Sequence, residues 1–355
     1  MNHLTLEETI KKITGPCEAA REASCRRWDS IAKPLGSLGL LEENVTRIAA
    51  LTGDPSYQIG RRAVVVMCAD NGVVAQGVTQ SSSDVTALVA CNLTKGETCV
   101  CRMAKMAGCD VIPVDIGILK EVEAPGLYRR KIRSGTADMT LGPAMTREEC
   151  VEALETGIHL VFDLQEQGYQ LLATGEMGIG NTTTSSAVAA VLTHMPVEQV
   201  TGRGAGLTGE GLQRKIRAIE KAIEINRPRE EDAIDVLQKV GGLDIAGLAG
   251  VFLGGAAAKM PIVIDGLISA VAALCAVKIC PAAASAMIAS HVSAEPAGAA
   301  VLKELGLSPM ITAKMCLGEG TGAMAILPLL DMAYDIYNHM STFHDINMEN
   351  YEHLK

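Results

Sequence analysis

The sequence predicts an α/β protein built on a doubly wound, Rossmann-like parallel sheet flanked by helices. Two apolar runs, residues 62–70 and 110–117, each end in polar residues, as buried parallel strands do where they leave a sheet. The composition agrees, because the 355-residue chain is 48% hydrophobic but only 3% aromatic, and it contains 35 glycines. Small aliphatic side chains and many turns suit strands that alternate with helices.

The other elements follow from apolar periodicity and from capping residues. Helices are expected at residues 4–13, 17–31, 84–95, 147–167, 210–226, 267–278 and 325–340. A Gly-Gly turn at 241–242 should divide residues 236–258 into two further helices. More strands are expected at residues 171–173, 261–266 and 286–291. Residues 121–141 are expected to form an exposed excursion, and Ser83 is a candidate N-cap.

The segment 171–193 has the most unusual chemistry in the chain. A buried strand end at 171–173 should lead into a turn at 174–184 and then into an Ala/Val helix. Glycines in the turn let a ligand approach the backbone, and the helix N-terminus favours a phosphate or carboxylate. Glu176 would repel phosphate, so it should meet a ribose hydroxyl or a proton that is to be moved. The alternative is an ordinary strand-to-helix connection with Asn and Thr caps.

Two further glycine-rich segments stand out. Residues 201–207 enter a helix that carries Lys215, and Arg203 and Lys215 are candidate counter-charges for phosphate, or else solvated helix charges. In the second segment, 317–322, Glu319 lies between glycines and beside the apolar Leu317. Partial desolvation there would raise the pKa of the Glu319 carboxyl and make it a better base. The alternative role for Glu319 is to cap the following helix.

Composition also excludes several functions. The net charge of −10 argues against a nucleic-acid partner, and charged residues keep every apolar run below the ~20 residues that span a membrane. The N-terminus does not resemble a signal peptide, so a cytoplasmic location is expected. Eleven cysteines without CxxC repeats and seven histidines without HxxxH spacing predict reduced thiols and no metal site.

Several motifs together resemble one enzyme family. GEMGIGNTT (175–183), GRGAGL (202–207), GEGTGA (318–323) and KPLGSLGLLE (33–42) are similar to segments of the nicotinate-nucleotide:dimethylbenzimidazole phosphoribosyltransferases. ADNGVV, VDIGI, GPAMT, SHVSAEP and the tail LPLLDMAYDIYNHMSTF extend the similarity, in order, over almost the whole chain.

The resemblance implies a large α/β domain at residues 51–329 and a small helical domain from residues 1–50 plus 330–355. It also implies a homodimer, or a heterodimer with a homologous subunit. The implied reaction moves phosphoribose from nicotinate mononucleotide to an aromatic base for cobamide synthesis, without a cofactor. Glu319 matches the catalytic base. The other substrate-binding residues that the resemblance implies are Glu176, Gly178, Gly204, Lys215, Ser293 and Gly322. The loop at 79–84, with Ser82 and Ser83, is expected to line the incoming ring because it follows a strand end, and Met177 and Leu317 are further candidates for that pocket.

Two departures from the family pattern bear on the base. Family members usually carry Asp-His-Gly where this chain has Asn71 in the middle position, and Tyr/Phe-Pro-Gln where it has three serines at 81–83. The preferred base is therefore left open among dimethylbenzimidazole, another benzimidazole, a purine and a phenol. A non-catalytic subunit is a second hypothesis. A dehydrogenase is disfavoured, because no GxGxxG follows a strand with an acid ~20 residues later.

Overall fold

The computed structural model describes residues 4–204 and 206–353. Ala205 of the predicted 201–207 loop, and residues 1–3 and 354–355 of the predicted terminal domain, lie outside the described chain. Six strands form one sheet: β1 Arg62–Ala69, β2 Asp110–Gly117, β3 Tyr128–Arg129, β4 Leu171–Met177, β5 Ile262–Ile264 and β6 Met287–Ala289.

The helices are, in chain order, α1 Leu6–Lys12, α2 Glu18–Ser30, α3 Leu40–Thr52, α4 Asp84–Lys95, α5 Cys99–Met106, α6 Arg147–Glu166, α7 Asn181–Thr193, α8 Val197–Val200, α9 Gly209–Asn226, α10 Ala233–Val240, α11 Leu243–Ala258, α12 Leu267–Ile279, α13 Gly298–Glu304 and α14 Thr321–His339. The predicted α/β class is confirmed, and the observed bounds of β2 and α4 match those expected. Helices α5, α8 and α13 and strand β3 were not predicted.

The sheet has the order β3-β2-β1-β4-β5-β6, and all of its pairings are parallel. This is the order of doubly wound dinucleotide-binding sheets, in which ligands bind beyond the strand ends where the order reverses. Here that point lies between β1 and β4, so the loops after these two strands lie side by side.

Strand β1 shows why the sheet is covered on both faces. Val64, Val66 and Cys68 lie in one hydrophobic cluster, whereas the alternate residues Val65 and Met67 lie in another. Successive side chains of a strand point to opposite faces, so a strand that is apolar at every position must be buried on both sides. The continuous apolar run at 62–70 was therefore a reliable sign of a central parallel strand.

The structure corrects the predictions for one turn, one loop and one helix start. The turn expected at 174–184 covers only residues 178–180. Residues 174–177 continue β4 and pair with residues 65–68 of β1, and α7 already begins at Asn181. The excursion at 121–141 is not simply exposed, since β3 joins the sheet edge there and Met139 is fully buried. Helix α14 starts at Thr321, four residues earlier than expected, because the Asp265 carboxylate accepts hydrogen bonds from its first backbone N–H groups.

The two ends of the chain are in contact. The rings of Trp28 and Tyr337 are 5.0 Å apart, and Phe343 N donates to Ser30 O at 3.0 Å. The Arg27 side chain donates to Tyr337 O at 2.9 Å, which joins α2 to the end of α14. The division into domains at residues 50 and 330 stays a prediction. None of the described helices is both long and apolar enough to cross a membrane.

Candidate active site

A cavity of about 310 Å³ opens beyond the carboxyl ends of the strands, at the reversal point of the sheet order. Its wall combines the segments that follow β4, β5 and β6 with the loop that precedes α14. Eight of the candidate residues line it: Glu176, Met177, Gly178, Arg203, Gly204, Ser293, Leu317 and Glu319. The fold thus brings together motifs that are up to 143 positions apart in the sequence.

Glu319 occupies a strained turn on this wall. Gly318, Glu319 and Gly320 have φ angles of 88°, 61° and 96°, a left-handed run that a side-chain-bearing residue rarely adopts. Gly175 lets the turn approach β4, because a Cβ there would overlap the Glu319 carbonyl oxygen. Val100 N, in the first turn of α5, donates to Glu319 Oε2 at 3.4 Å. The tertiary structure, not local flexibility, therefore fixes the Glu319 backbone.

The Glu319 side chain is half-buried, and burial raises the pKa of its carboxyl. The hydrogen bond from Val100 acts in the opposite direction, and the nearby Asp265 acts in the same direction as burial. A carboxyl of raised pKa that still reaches a cavity is suited to proton transfer at neutral pH.

Glu176 is buried at the end of β4 and also faces the cavity. Asn181 Nδ2 donates to Glu176 Oε2 and, at 3.0 Å, to Asp244 Oδ2. Burial, followed by the charge of Asp244, raises the pKa of Glu176 well above its ordinary value. Burial likewise raises the pKa of Asp244 to about 6. One amide thus connects two acids that both resist ionisation.

Asp265 and His291 lie on the same side of the cavity as Glu176 and Glu319, next to the N-terminus of α14. The Asp265 carboxylate accepts from Gly320 N, Gly322 N and Ala323 N at 3.0, 2.7 and 3.1 Å. Gly322 does not line the cavity but lies against the His291 ring, where a Cβ would overlap the ring. Burial raises the pKa of Asp265, and His291 opposes that rise.

The roles of Asp244, Asp265 and His291 were not identified from the sequence. Asp265 ends an apolar run and precedes a glycine, which marked only the end of a strand, and His291 likewise marked only a strand end. Asp244 follows the Gly-Gly turn. Each is almost completely buried. Their polar partners come from distant segments, so the local sequence carries no sign of them.

Lys215 lies just behind the cavity wall and is completely buried on α9. Its Nζ donates to Thr182 Oγ1 at 2.8 Å and to Gly202 O at 3.1 Å. Burial lowers the pKa of Lys215 to about 8, against the opposing charge of Glu295. The solvated-charge alternative for Lys215 is therefore wrong. Arg203, in contrast, is exposed, but it lines the cavity and donates to Leu207 O at 2.7 Å.

The two departures from the family pattern lie at the margin of the site. Val78, Thr79 and Gln80 line the cavity, whereas Ser82 is exposed and neither Ser82 nor Ser83 is on the wall. Ser83 stands at the N-cap position of α4 but makes no capping hydrogen bond with its side chain.

Asn71 is buried away from the cavity wall. Its Nδ2 donates to Ile179 O, and its Oδ1 accepts from Thr184 Oγ1, both at 3.4 Å. Asn71 therefore ties the loop after β1 to the start of α7.

Within the described ranges, no group of three or more His, Cys, Asp or Glu side chains is placed to hold a metal ion. The site instead offers carboxyl groups of raised pKa on one side, and on the other a buried ammonium beside a helix N-terminus. Such an arrangement can hold an anion and accept a proton a short distance away.

Comparison with known proteins identifies the class. A family model described as phosphoribosyltransferase matches residues 13–348, and the chain belongs to the phosphoribosyltransferase family. The chain is similar to the nicotinate-nucleotide–dimethylbenzimidazole phosphoribosyltransferase of Acetivibrio thermocellus, with 48% identity over 98% of this chain and 99% of the relative. The enzyme of the same name from Clostridium acetobutylicum is 47% identical over 99% and 100% of the two chains.

Solved structures agree with these relatives. A crystal structure of CobT from Thermus thermophilus superimposes with a TM-score of 0.89 at 40% identity, over 93% of this chain and 99% of that one. A nicotinate-nucleotide–dimethylbenzimidazole phosphoribosyltransferase structure from the same organism gives 0.88 at 38% identity, over 94% and 100%. The dehydrogenase alternative is therefore wrong, and the chain is an enzyme of the transferase class.

Proposed function

We propose that this enzyme transfers 5-phosphoribose from nicotinate mononucleotide to dimethylbenzimidazole, giving the α-ribotide and nicotinate for cobamide synthesis. The names of the relatives support these substrates. The observation that carries the proposal is Glu319, a half-buried carboxyl that the left-handed turn holds at the cavity wall.

In this proposal the nucleotide phosphate binds at the N-terminus of α7. The helix begins at Asn181 without a side-chain cap, and its positive end favours an anion. Lys215 Nζ reaches this end through Thr182 Oγ1, and Gly204 lies close by, since a Cβ there would be 2.8 Å from the same oxygen. The ribose then extends toward Glu176 and Gly178.

The chemistry needs one positioned base. A ring nitrogen of the incoming base attacks C1′ of the ribose from the face opposite nicotinate, which inverts the anomeric centre. The C1′–N bond to nicotinate breaks, and its electron pair returns to the pyridine nitrogen, so nicotinate leaves with a neutral ring. Glu319 takes the N–H proton of the benzimidazole. A positioned base of this kind contributes about 10²–10⁴-fold, and alignment of the two rings supplies more.

We propose that the ring of the incoming base binds between Leu317, Met177 and the Val78–Gln80 segment, all of which line the cavity. Aliphatic and thioether contacts suit a methylated benzimidazole. A role for Ser82 and Ser83 in choosing the base stays a prediction, because these serines lie off the wall. Contacts from Ser293 and Gly322 to the substrates likewise stay predictions. No printed name among the relatives favours a purine or a phenol.

The assembly and location are also proposals. The enzyme works in the cytoplasm as a homodimer or as a heterodimer with a homologous subunit, and the terminal segments form a small domain beside the catalytic one. A non-catalytic role is disfavoured, because both Glu176 and Glu319 are present and face the cavity.

The test is an assay of the purified protein with nicotinate mononucleotide and a panel of bases. Nicotinate release should be fastest with dimethylbenzimidazole, and mass spectrometry should find the matching ribotide. A purine or phenol that ranks first would overturn the choice of base. Failure to release nicotinate with every base, from a folded protein that binds the nucleotide, would instead support a non-catalytic subunit.

A further inference from the structure

The side-chain amide of Asn181 lies between two buried carboxyl groups. Both of its N–H bonds are used, one toward Glu176 Oε2 and one toward Asp244 Oδ2 at 3.0 Å. Gly178 makes this approach possible, because a Cβ there would lie 2.8 Å from Asp244 Oδ2 and 3.2 Å from Asn181 Nδ2. The amide can donate to both acids but can neutralise neither.

The two acids differ in how well they tolerate a negative charge. Asp244 is in the first turn of α11, where the helix N-terminus stabilises an anion, and Ile245 N donates to its Oδ1 at 3.0 Å. Glu176 is the next-to-last residue of β4, and a β-strand has only a small dipole. Negative charge is therefore better placed on Asp244, and its presence there disfavours a second charge on Glu176.

The other groups that face Glu176 strengthen this asymmetry. Asp265, from the segment after β5, and Glu319, from the loop before α14, both act to raise the pKa of Glu176. Cys68 of β1 is a buried thiol whose own pKa is raised by burial, so it stays neutral and contributes no charge. Among the described residues, no salt bridge reaches Glu176.

We propose that Asp244 is a positioning residue that keeps Glu176 in its neutral form, as a hydrogen-bond donor to the ribose of the nucleotide, and that Asn181 fixes the orientation of the two carboxyl groups. The Asn181 hydrogen bond by itself favours the ionised form of Glu176, so the bias toward the neutral form comes from burial and from Asp244. Glu176 Oε2 accepts from Asn181, so the proton is carried on Oε1. Oε1 lies beside Gly318, where an added Cβ would overlap it, at the edge of the cavity. The inference rests on the proposed function only for the identity of the ligand.

A neutral Glu176 also resolves an electrostatic conflict. Nicotinate mononucleotide carries a phosphate and a carboxylate, which an additional ionised side chain on the wall would repel. A protonated carboxyl keeps a donor in place without that charge.

The first experiment measures the binding of nicotinate riboside by calorimetry between pH 6 and 9. This ligand lacks the phosphate, so loss of the Lys215 charge has little influence on it. Asp244→Asn removes the charge that disfavours ionisation of Glu176, so the alkaline loss of affinity should move to lower pH. Affinity at pH 6 should stay within about twofold of wild type. Between the pH at which the variant loses affinity and the higher pH at which wild type does, the variant should bind about tenfold more weakly.

Asp115→Asn is the matched control, because Asp115 is also a buried acid with a raised pKa but lies off the cavity wall. Its pH profile should follow wild type. An unchanged alkaline limb in folded Asp244→Asn overturns the proposal.

The second experiment does not use the Asp244→Asn variant, so it tests the proposal even if that variant does not fold. Infrared difference spectra of wild type and Glu176→Gln at pH 7 should contain a protonated-carboxyl band that belongs to Glu176. No such band at pH 7 overturns the proposal. The protein could show this band, and lose it in Glu176→Gln, yet release no nicotinate with any base. That result would support a protonated Glu176 and would contradict the proposed function.

Discussion

Helices α7 and α14 begin with almost the same local structure, yet their N-termini contact different groups. Both follow a glycine-rich loop, and both have a glycine N-cap in the left-handed conformation, Gly180 at φ 94° and Gly320 at φ 96°. Neither has a side-chain cap from its own loop. Sequence alone would assign both ends the same anion-binding role.

The difference comes from what each N-terminus meets. The first N–H groups of α14 donate to the Asp265 carboxylate, so that end is already occupied by an internal anion. At α7, in the described part of the chain, no carboxylate accepts from the first-turn N–H groups, and Lys215 stands beside Thr182. One end therefore holds an internal carboxylate next to Glu319, whereas the other holds none and is the proposed phosphate site.

Replacing the acid at the α14 end should have the largest effect on catalysis. Glu319→Gln keeps the shape of the side chain but removes the base, so turnover should fall by about 10²–10⁴-fold. Affinity for nicotinate mononucleotide should change little, because the proposed site for the nucleotide phosphate is at the other helix. Single-turnover rates and calorimetric binding separate the two effects. Turnover within about twofold of wild type would remove Glu319 from the mechanism.

Removing the cation at the α7 end should mainly weaken nucleotide binding. Lys215→Met keeps much of the buried volume and loses a charge-assisted contact to phosphate, so the Kd should rise about ten- to a hundredfold. Saturated turnover should fall much less, since the phosphate is held equally in ground and transition states. Lys221→Ala, an exposed lysine on the same helix, is the control and should behave as wild type. Equal affinities for Lys215→Met and Lys221→Ala would contradict this role.

The same lysine predicts opposite pH dependences for binding and folding. The pKa of Lys215 is about 8 in the fold against an ordinary value of 10.5. Between these values the unfolded chain holds a proton that the folded chain has released, so the ligand-free protein should gain stability as pH rises. Nucleotide affinity should fall over that window, because the phosphate loses its counter-charge. Urea unfolding and binding isotherms from pH 7 to 10 should show both trends in wild type. In Lys215→Met the gain in stability should be absent, and the affinity for nicotinate mononucleotide should fall with pH no more than the affinity for nicotinate riboside does.

Replacing the carboxylate that caps the N-terminus of α14 should have the smallest effect of these changes, and the effect should be on stability. Asp265→Asn leaves one acceptor oxygen for three backbone N–H donors, so the free energy of unfolding should fall by about 1–2 kcal/mol. Urea unfolding measures this loss. Asp235→Asn, at an acid in the first turn of α10 that pairs with Lys239, provides a comparison of the same chemistry away from the site. A stability loss in Asp265→Asn below that of the comparison variant would show that the cap is not what holds the turn.

Local sequence was enough for most of the fold. The bounds of β2 and α4 were predicted to the residue, because strand burial and helix capping are encoded within a few positions. Boundaries failed where a distant segment intervened. Strand β4 continues to Met177 because β1 pairs with it, and α14 starts early because Asp265 supplies its cap.

The site divides in the same way. The sequence by itself marked Glu176, Glu319 and the glycine loops, because acids among glycines are unusual at any position. Only the tertiary structure buried Lys215, joined Asn181 to Asp244, and placed Ser82 outside the cavity. The physical reason is that burial and hydrogen-bond partners depend on which elements meet in space. Burial and hydrogen-bond partners set the pKa of each acid, and the pKa decides which reactions the acids on two similar loops can catalyse.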